Sequence, residues 1–333
     1  MFLNKGFVLA SRPEGAPRPE NFRLVTSEVA EPAGGEVIVR HHYLSLDPYM
    51  RGRMNAAKSY AEPQKLDAIM IGGTVGEVVA SQNPAFAVGD MVVGMGGWQL
   101  YARSTGQGLR KITRPHIPVQ AFLGLLGMPG ITAWYGINAI LAPKPGEVVT
   151  VSAATGAVGS VAGQLAKMAG ARVIGIAGGE AKCRFAVEVL GYDLCIDHRA
   201  PDFEARLAAA LPDGVDCVFE NVGGKPLALC LERLRDFSRI AICGLVASGY
   251  DGATPTPLRD LKIILDRRAR IEGFVITDHR ALWPQAIDEL ADYFEDGRLG
   301  WTETVEEGLE AAPEAFIGML QGKNFGKQLV KLI

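Results

Sequence analysis

Residues 148–169 read VVTVSAATGAVGSVAGQLAKMA, and this stretch decides the fold. Its first six residues, VVTVSA, form a nearly continuous apolar run that is typical of a buried strand. From Val158 onward apolar residues recur at helical spacing, which predicts a helix to about Ala169. The letters between them align with the fingerprint G-x-G-x-x-G, with Ala154, Gly156 and Gly159 at its three glycine positions. Strand, glycine turn and helix in this order predict the opening unit of a parallel sheet.

The glycine turn also favours a dinucleotide ligand. Gly156 would let the backbone approach a pyrophosphate, and Gly159 would let the helix pack closely on the strand. The amino end of the helix would present N–H groups and a partial positive charge to the anion. A glycine-rich turn without a ligand has the same letters, but its place between a strand and a helix favours the nucleotide.

The end of the second strand distinguishes NADP from NAD. The predicted strand at 172–177 (RVIGIA) is followed by Gly178 and Gly179. An NAD site usually has an aspartate or glutamate here to bind the ribose hydroxyls, and this sequence has none. The next acid, Glu180, fits better at the start of the following helix, where a negative charge is favourable. Lys182 could reach a 2′-phosphate, although a solvated helix lysine is the alternative. The sequence therefore favours NADP(H).

The surrounding pattern predicts an α/β protein. Apolar strands and helices alternate through residues 148–275, which indicates a doubly wound parallel (Rossmann) sheet. Residues 1–124 contain short β-branched strands between turns, as expected for a small bent antiparallel β-barrel. A segment at 121–141 is helical in pattern but interrupted at Met128-Pro-Gly130. The tail, with a strand, a helix and a last strand at 327–332, is expected to rejoin the barrel. The predicted domains are 1–124, 125–298 and 299–333.

Composition limits the possible partners and compartment. The 333 residues carry a formal net charge of −3, which argues against nucleic acid as a partner. The amino terminus does not resemble a signal peptide, and no apolar run is long enough to cross a membrane. Five cysteines, an odd number without a C-x-x-C pair, favour a reducing, cytoplasmic setting.

A catalytic zinc site is not expected. Such a site needs cysteine or histidine ligands and an open coordination position. The first 182 residues contain no cysteine, and their histidines are His41, His42 and His116. His41 and His42 are adjacent on a strand, so they point to opposite faces and cannot be ligands together.

Six stretches, spread over the whole chain, resemble one known family, the zinc-free medium-chain dehydrogenases/reductases of the prostaglandin reductase, or 2-alkenal reductase, type, with bacterial curcumin reductases. The stretches are SLDPYMR (45–51), AATGAVGS (153–160), ENVGG (220–224), ICG (242–244), RIEGF (270–274) and GMLQGKNFGK (318–327). The first and last are the most specific. The resemblance implies a GroES-like amino-terminal catalytic domain, a Rossmann domain, NADP(H) and a homodimer.

The resemblance also implies a set of site residues. Gly156, Ala157, Val158 and Gly159 would contact the pyrophosphate. Lys182 would bind the 2′-phosphate, and His198, where relatives commonly carry tyrosine, would lie near the adenosine phosphate. Further cofactor contacts would come from Asn221, Cys243, Tyr250, Phe274, Val275, Ile276 and Asn324.

The expected activity is NADPH-dependent reduction of the carbon–carbon double bond of α,β-unsaturated aldehydes and ketones. The proton for the α-carbon would come from solvent or from Tyr250, the candidate catalytic residue, because a phenol with a pKa near 10 stays protonated at neutral pH. Tyr49 and Met128 are expected to line the apolar substrate cleft. Two alternatives remain, a zinc-free NADPH:quinone oxidoreductase and a non-catalytic NADPH-binding protein.

Overall fold

The computed structural model describes residues 1–57, 59–247 and 262–333 of the chain. They form two compact units, one made of residues 1–124 and 303–333 and the other of residues 125–302. The tail from Glu303 thus belongs to the same unit as the amino-terminal segment.

The amino-terminal segment is mostly β-structure. Its strands are β1 (Phe2–Leu9), β2 (Phe22–Val29), β3 (Val37–Ser45), β4 (Thr74–Ser81), β5 (Met91–Gly94), β6 (Tyr101–Ser104) and β7 (Arg110–Lys111). Its helical elements are short: α1 (Tyr49–Arg53) and 3-10 turns at Pro19–Asn21 and Val119–Leu123. Strands β1 and β2 pair with each other along their whole length in an antiparallel ladder.

Strands and helices alternate in the second unit. The strands are β8 (Val148–Ser152), β9 (Arg172–Ala177), β10 (Leu194–Asp197), β11 (Val215–Glu220), β12 (Leu234–Ile242) and β13 (Arg270–Gly273). The helices are α2 (Met128–Tyr135), α3 (Gly159–Met168), α4 (Glu180–Glu188), α5 (Phe203–Ala210), α6 (Gly224–Leu231), α7 (Lys262–Asp266) and α8 (Trp283–Glu295). A π-helical turn at Gly136–Leu141 follows α2, and a 3-10 segment at Ile276–Leu282 precedes α8.

The sheet of the second unit has the order β10-β9-β8-β11-β12-β13, and its pairings are all parallel. Every residue of β8 is buried, because helices cover both faces of such a sheet. The predicted doubly wound Rossmann fold is confirmed. The order of the strands reverses between β8 and β11, because β9 and β10 lie on one side of β8 and β11 to β13 on the other. Ligands of such sheets bind beyond the carboxyl ends of the strands at that point.

The tail completes the sheet of the first unit. It supplies β14 (Glu303–Glu307), α9 (Ala312–Leu320) and β15 (Lys327–Lys331). Strand β15 pairs antiparallel with β3, so the order is β14-β15-β3-β4-β5-β7, with β6 also on β3. Phe316 of α9 packs edge-on against Trp98, which stacks on Phe22 at 5.3 Å between ring centroids. The core of this unit is therefore built from both ends of the chain.

The helical stretch is interrupted as predicted, but the break lies at 124–127, and Met128-Pro-Gly130 form the first turn of α2. Proline is tolerated there, since the first N–H groups of a helix have no partner within it. Gly130 is required by packing: a Cβ at this position would lie 1.7 Å from the carbonyl oxygen of Leu125. Among the described residues, no helix combines the length and apolar character that a membrane span requires.

Candidate functional site

The turn between β8 and α3 is shaped by close approach of its own backbone. Ala153 has a φ of +48°, and its carbonyl oxygen accepts the Gly156 N–H at 2.8 Å. A Cβ on Gly159 would lie 2.2 Å from that same oxygen, and one on Gly156 would lie 3.2 Å from it. Position 159 therefore excludes any side chain, and position 156 leaves little room for one.

The turn offers unused donors to an anion. Among the described residues, the N–H groups of Ala157, Val158 and Gly159 donate to no protein acceptor. Helix α3 begins at Gly159, and its N-cap residue, Val158, contributes no side-chain hydrogen bond. Free N–H groups at the positive end of a helix bind phosphate groups, so this turn fits a pyrophosphate.

Tyr192 supports this turn through its hydroxyl, a role that was not predicted from the sequence. Its hydroxyl lies 2.7 Å from the carbonyl oxygen of Gly159 and 3.3 Å from that of Ala154. The side chain is buried, and burial raises the pKa of the phenol well above its usual value. Space for the ring comes from Gly163 in α3, where a Cβ would lie 2.0 Å from a ring carbon. A glycine inside the helix was the available signal.

Three basic side chains meet at the ends of β9 and β10. A Cβ on Gly178 would lie 3.0 Å from Nε of Arg199 and 3.1 Å from Nε2 of His198. Burial and the nearby Arg199 charge lower the pKa of the half-buried Lys182. We call Lys182, His198 and Arg199 the basic cluster. Arg199 was missed in the sequence, although it directly follows His198.

An aspartate orients the loops that carry the basic cluster. Asp197 ends β10, and its Oδ1 accepts N–H bonds from Gly179 at 2.8 Å and from Arg199 at 2.9 Å. This carboxylate therefore fixes the backbone on which Arg199 stands. The same two influences, burial first and then Arg199, lower the pKa of His198, so the imidazole is neutral at pH 7.

Asn221 directly follows β11, at the point where the order of the strands reverses. Its N–H donates to the Ser152 hydroxyl at 2.8 Å, and its Nδ2 donates to the Ser152 carbonyl oxygen at 2.7 Å. The buried Glu220 accepts the Ser152 hydroxyl proton at 2.6 Å and the Gly223 N–H at 2.8 Å. Burial raises the pKa of Glu220, and these donors oppose that rise. The bonds join the carboxyl ends of β8 and β11.

Four further residues predicted to contact the cofactor follow β12 and β13: Cys243, Phe274, Val275 and Ile276. The Cys243 N–H donates to the Glu220 carbonyl oxygen at 2.9 Å, and burial raises the pKa of its thiol to about 12, which keeps the thiol protonated at neutral pH. Phe274, followed by Val275 and Ile276, packs its ring 5.4 Å from that of Tyr135. Tyr250 lies outside the described residues.

Tyr49, Asn324 and Met128 lie elsewhere. Tyr49 begins α1 of the first unit, and burial, followed by the charge of Asp47, raises the pKa of its phenol. Asn324, in the same unit, precedes β15 and donates from Nδ2 to the Gly326 carbonyl oxygen at 2.9 Å. Met128 begins α2 in the second unit.

The described residues contain no group of three or more histidine, cysteine or acidic side chains that could hold a metal ion. His41 is buried, with Nδ1 2.7 Å from the Gln99 carbonyl oxygen. Burial lowers the pKa of its imidazole to about 4. His41 is thus a packed side chain of the first unit.

Two family models match the chain. Residues 5–112 match the N-terminal domain of oxidoreductase, and residues 157–292 match the zinc-binding dehydrogenase model. The chain is 46% identical to the NADPH-dependent curcumin reductase of Escherichia coli, over 99% of this chain and 97% of that protein. It is 38% identical to the NADP(+)-dependent 2-alkenal reductase of Nicotiana tabacum, over 98% and 97% of the two chains.

Solved structures agree with these relatives. The crystal structure of CurA from Vibrio vulnificus in complex with NADPH superposes with a TM-score of 0.94 at 45% identity, covering 99% of each chain. Likeness of this degree extends over both units of the molecule. The chain belongs to the medium-chain dehydrogenase/reductase family, in the group that contains the curcumin, 2-alkenal and prostaglandin reductases.

Proposed function

We propose that this protein is an oxidoreductase that uses NADPH to reduce the carbon–carbon double bond of α,β-unsaturated aldehydes and ketones. The observation that carries the proposal is the pairing of an anion-binding glycine turn with a basic cluster at the next strand ends. That combination fits a dinucleotide with an additional phosphate, and the relatives named above are NADP-dependent reductases.

The chain's own residues would divide the work of holding NADPH. The N–H groups of Ala157, Val158 and Gly159 would take the pyrophosphate, with Gly156 allowing its approach. Lys182 and Arg199 would take the 2′-phosphate, and the neutral His198 would donate one hydrogen bond to it. Asn221, held by Ser152, would lie beside the nicotinamide half together with Cys243. Phe274, Val275 and Ile276 would line that half, and Asn324 would add a further contact to the cofactor.

NADPH supplies, when bound, a hydride for the β-carbon of the enone. Negative charge then develops on the substrate carbonyl oxygen, so donors aimed at that oxygen lower the barrier. Tyr250 is our proposed proton donor, because an unperturbed phenol remains protonated at neutral pH. Tyr49 and Met128 would form apolar walls for the substrate.

Two further observations support our proposals for the compartment and the assembly of the protein. All five cysteines are unpaired thiols, which supports a reducing, cytoplasmic setting. In the described residues β13 is an edge strand of the parallel sheet, and its Ile271 is 38% exposed. A free edge of this kind pairs readily with a second copy, so we propose a homodimer through β13.

A turnover panel separates this function from its alternatives. NADPH oxidation is followed by absorbance with short-chain enals, aromatic enones and ortho-quinones at equal concentration. The proposal expects kcat/KM values for enals and enones well above those for quinones. Preference for quinones would favour the quinone oxidoreductase, and NADPH binding without any turnover would favour a non-catalytic protein.

A further inference from the structure

Two thiols lie together beside the basic cluster. Cys183 stands in the first turn of α4, directly after Lys182, and Cys195 is the second residue of β10. The two thiols lie close enough to influence each other's ionisation. Cys195 Sγ lies on the face of the sheet beside Gly175 of β9, where a Cβ would lie 3.0 Å from it. Both cysteines are free, with Cys195 buried and Cys183 half-buried. The pair is therefore reachable from solvent only through Cys183.

The two sulfur atoms differ in their surroundings, since Cys195 is buried and Cys183 is partly exposed. The neighbouring Cys195 thiol lowers the pKa of the Cys183 thiol, with a smaller contribution from the Arg206 charge. The Cys183 thiol, followed by burial, raises the pKa of Cys195 far above its usual value. Burial and the charge of Asp197 oppose this lowering of the Cys183 pKa. An accessible thiol with enhanced thiolate character next to a second thiol is the usual arrangement of a redox-sensitive pair.

We propose that Cys183 and Cys195 form a reversible disulfide that responds to hydroperoxides and weakens NADPH binding. The Cys183 thiolate attacks one peroxide oxygen, which gives a sulfenic acid and, after protonation of the leaving oxygen, a molecule of water or alcohol. The sulfur of Cys195 then attacks the sulfenic sulfur, and the displaced oxygen leaves as water with the thiol proton. Two thiols lose two electrons, and one peroxide gains them.

The predicted effect on NADPH follows from geometry and rests on the proposed function. A disulfide requires an S–S distance near 2.05 Å, shorter than any hydrogen bond between sulfur atoms. Closing that gap draws the first turn of α4 toward β10. Lys182 precedes Cys183 and Arg199 follows β10, so both ends of the basic cluster shift. A displaced charged contact to phosphate corresponds to about a tenfold loss of affinity.

The test uses the full chain, first reduced and then treated with hydrogen peroxide. Peptide mapping under non-reducing conditions is expected to yield a linked pair of peptides that contain Cys183 and Cys195, with Cys217 and Cys230 left as thiols. The Kd for NADPH is expected to rise about tenfold and to recover with dithiothreitol. In Cys183→Ser and Cys195→Ser, peroxide should leave the Kd unchanged.

Three results would overturn the inference: no linked peptide, a linked peptide with an unchanged Kd, or the same rise of the Kd in Cys183→Ser. Mapping of the wild-type chain needs no variant to fold. If the reduced protein itself did not bind NADPH, the proposed function would fall. The linked peptide would still decide whether the thiol pair forms a disulfide.

Discussion

Lys327 and Asp47 form a buried ion pair with 2.9 Å between Nζ and Oδ1, and their side chains are only 3% and 8% exposed. Lys327 also donates to the Leu46 carbonyl oxygen, and the Ser45 hydroxyl donates to the other oxygen of Asp47. The pair joins the two most specific stretches of the sequence, SLDPYMR and GMLQGKNFGK. These motifs therefore meet as one structural element, which holds the carboxyl-terminal strand to the first unit.

Removal of the Lys327 cation should destabilise the protein strongly. Lys327→Met leaves the Asp47 carboxylate buried without its counter-charge, and the expected loss is about 3–5 kcal/mol of unfolding free energy. Urea unfolding of the full chain measures it. The matched control is Lys331→Met, whose exposed pair with Glu307 at 3.4 Å should contribute less than about 1 kcal/mol. Equal midpoints for the two variants would contradict the structural role of the buried pair.

Loss of either cation of the basic cluster should weaken the binding of NADPH but not that of NADH. In Lys182→Ala or Arg199→Ala the Kd for NADPH is expected to rise about 10- to 100-fold, because a charge-assisted contact to the 2′-phosphate is lost. The Kd for NADH should change little. Fluorescence titration measures both constants, with Lys144→Ala, an exposed lysine before β8, as the control. An equal rise of the Kd for both nucleotides would exclude a contact between these side chains and the 2′-phosphate.

Tyr192→Phe should weaken the binding of NADPH and of NADH to the same extent. The variant keeps the buried ring and removes the hydroxyl that lies 2.7 Å from the Gly159 carbonyl oxygen. We expect a rise of about 2- to 10-fold in the Kd for NADPH and for NADH, since one hydrogen bond that shapes the turn is lost. The ratio of the two constants should stay constant. A rise of the Kd confined to NADPH would show that Tyr192 acts on the basic cluster instead.

Acid should destabilise the protein partly through His41. Its imidazole has a pKa of about 4 when folded, against a usual 6.5, so below pH 6.5 the unfolded chain binds a proton that the folded chain does not. Stability therefore falls as the pH drops from about 6.5 to 4, by up to about 3 kcal/mol. Urea unfolding at several pH values should show a shallower decline for His41→Gln. If the stability of His41→Gln declined with pH in the same way as that of the wild type does, the protonation of His41 would not cause the decline.

Periodicity in the sequence predicted the second unit well. The strand at 172–177 and the helix from Glu180 begin where expected, because apolar runs and glycine turns determine both locally. Helix α8 was missed even though it buries an apolar face. Its signal is a 3.6-residue pattern with charged residues between, and it lies outside the strand–helix alternation on which the prediction was based. Strands β1 and β2 were missed for a different reason, since their pairing is with each other across a long connection.

Local motifs predicted the glycine turn but not its supports. Tyr192 contacts Gly159 and Arg199 lies beside Gly178, and only the folded chain brings these distant residues together. The role of Asp197 as a loop anchor likewise depends on the parallel register of β9 and β10. The glycine turn is visible in a local motif, whereas Tyr192, Asp197 and Arg199 take their places only through tertiary contacts.

The central claim is hydride delivery from NADPH to the β-carbon of an enone. The most direct measurement is single-turnover reaction of the full chain with NADPH deuterated at the transferring C4 position, followed by NMR of the product from an α,β-unsaturated ketone. The account predicts a saturated ketone that carries deuterium on the β-carbon. Deuterium on the former carbonyl carbon of an unsaturated alcohol, or nucleotide binding without product, would contradict it.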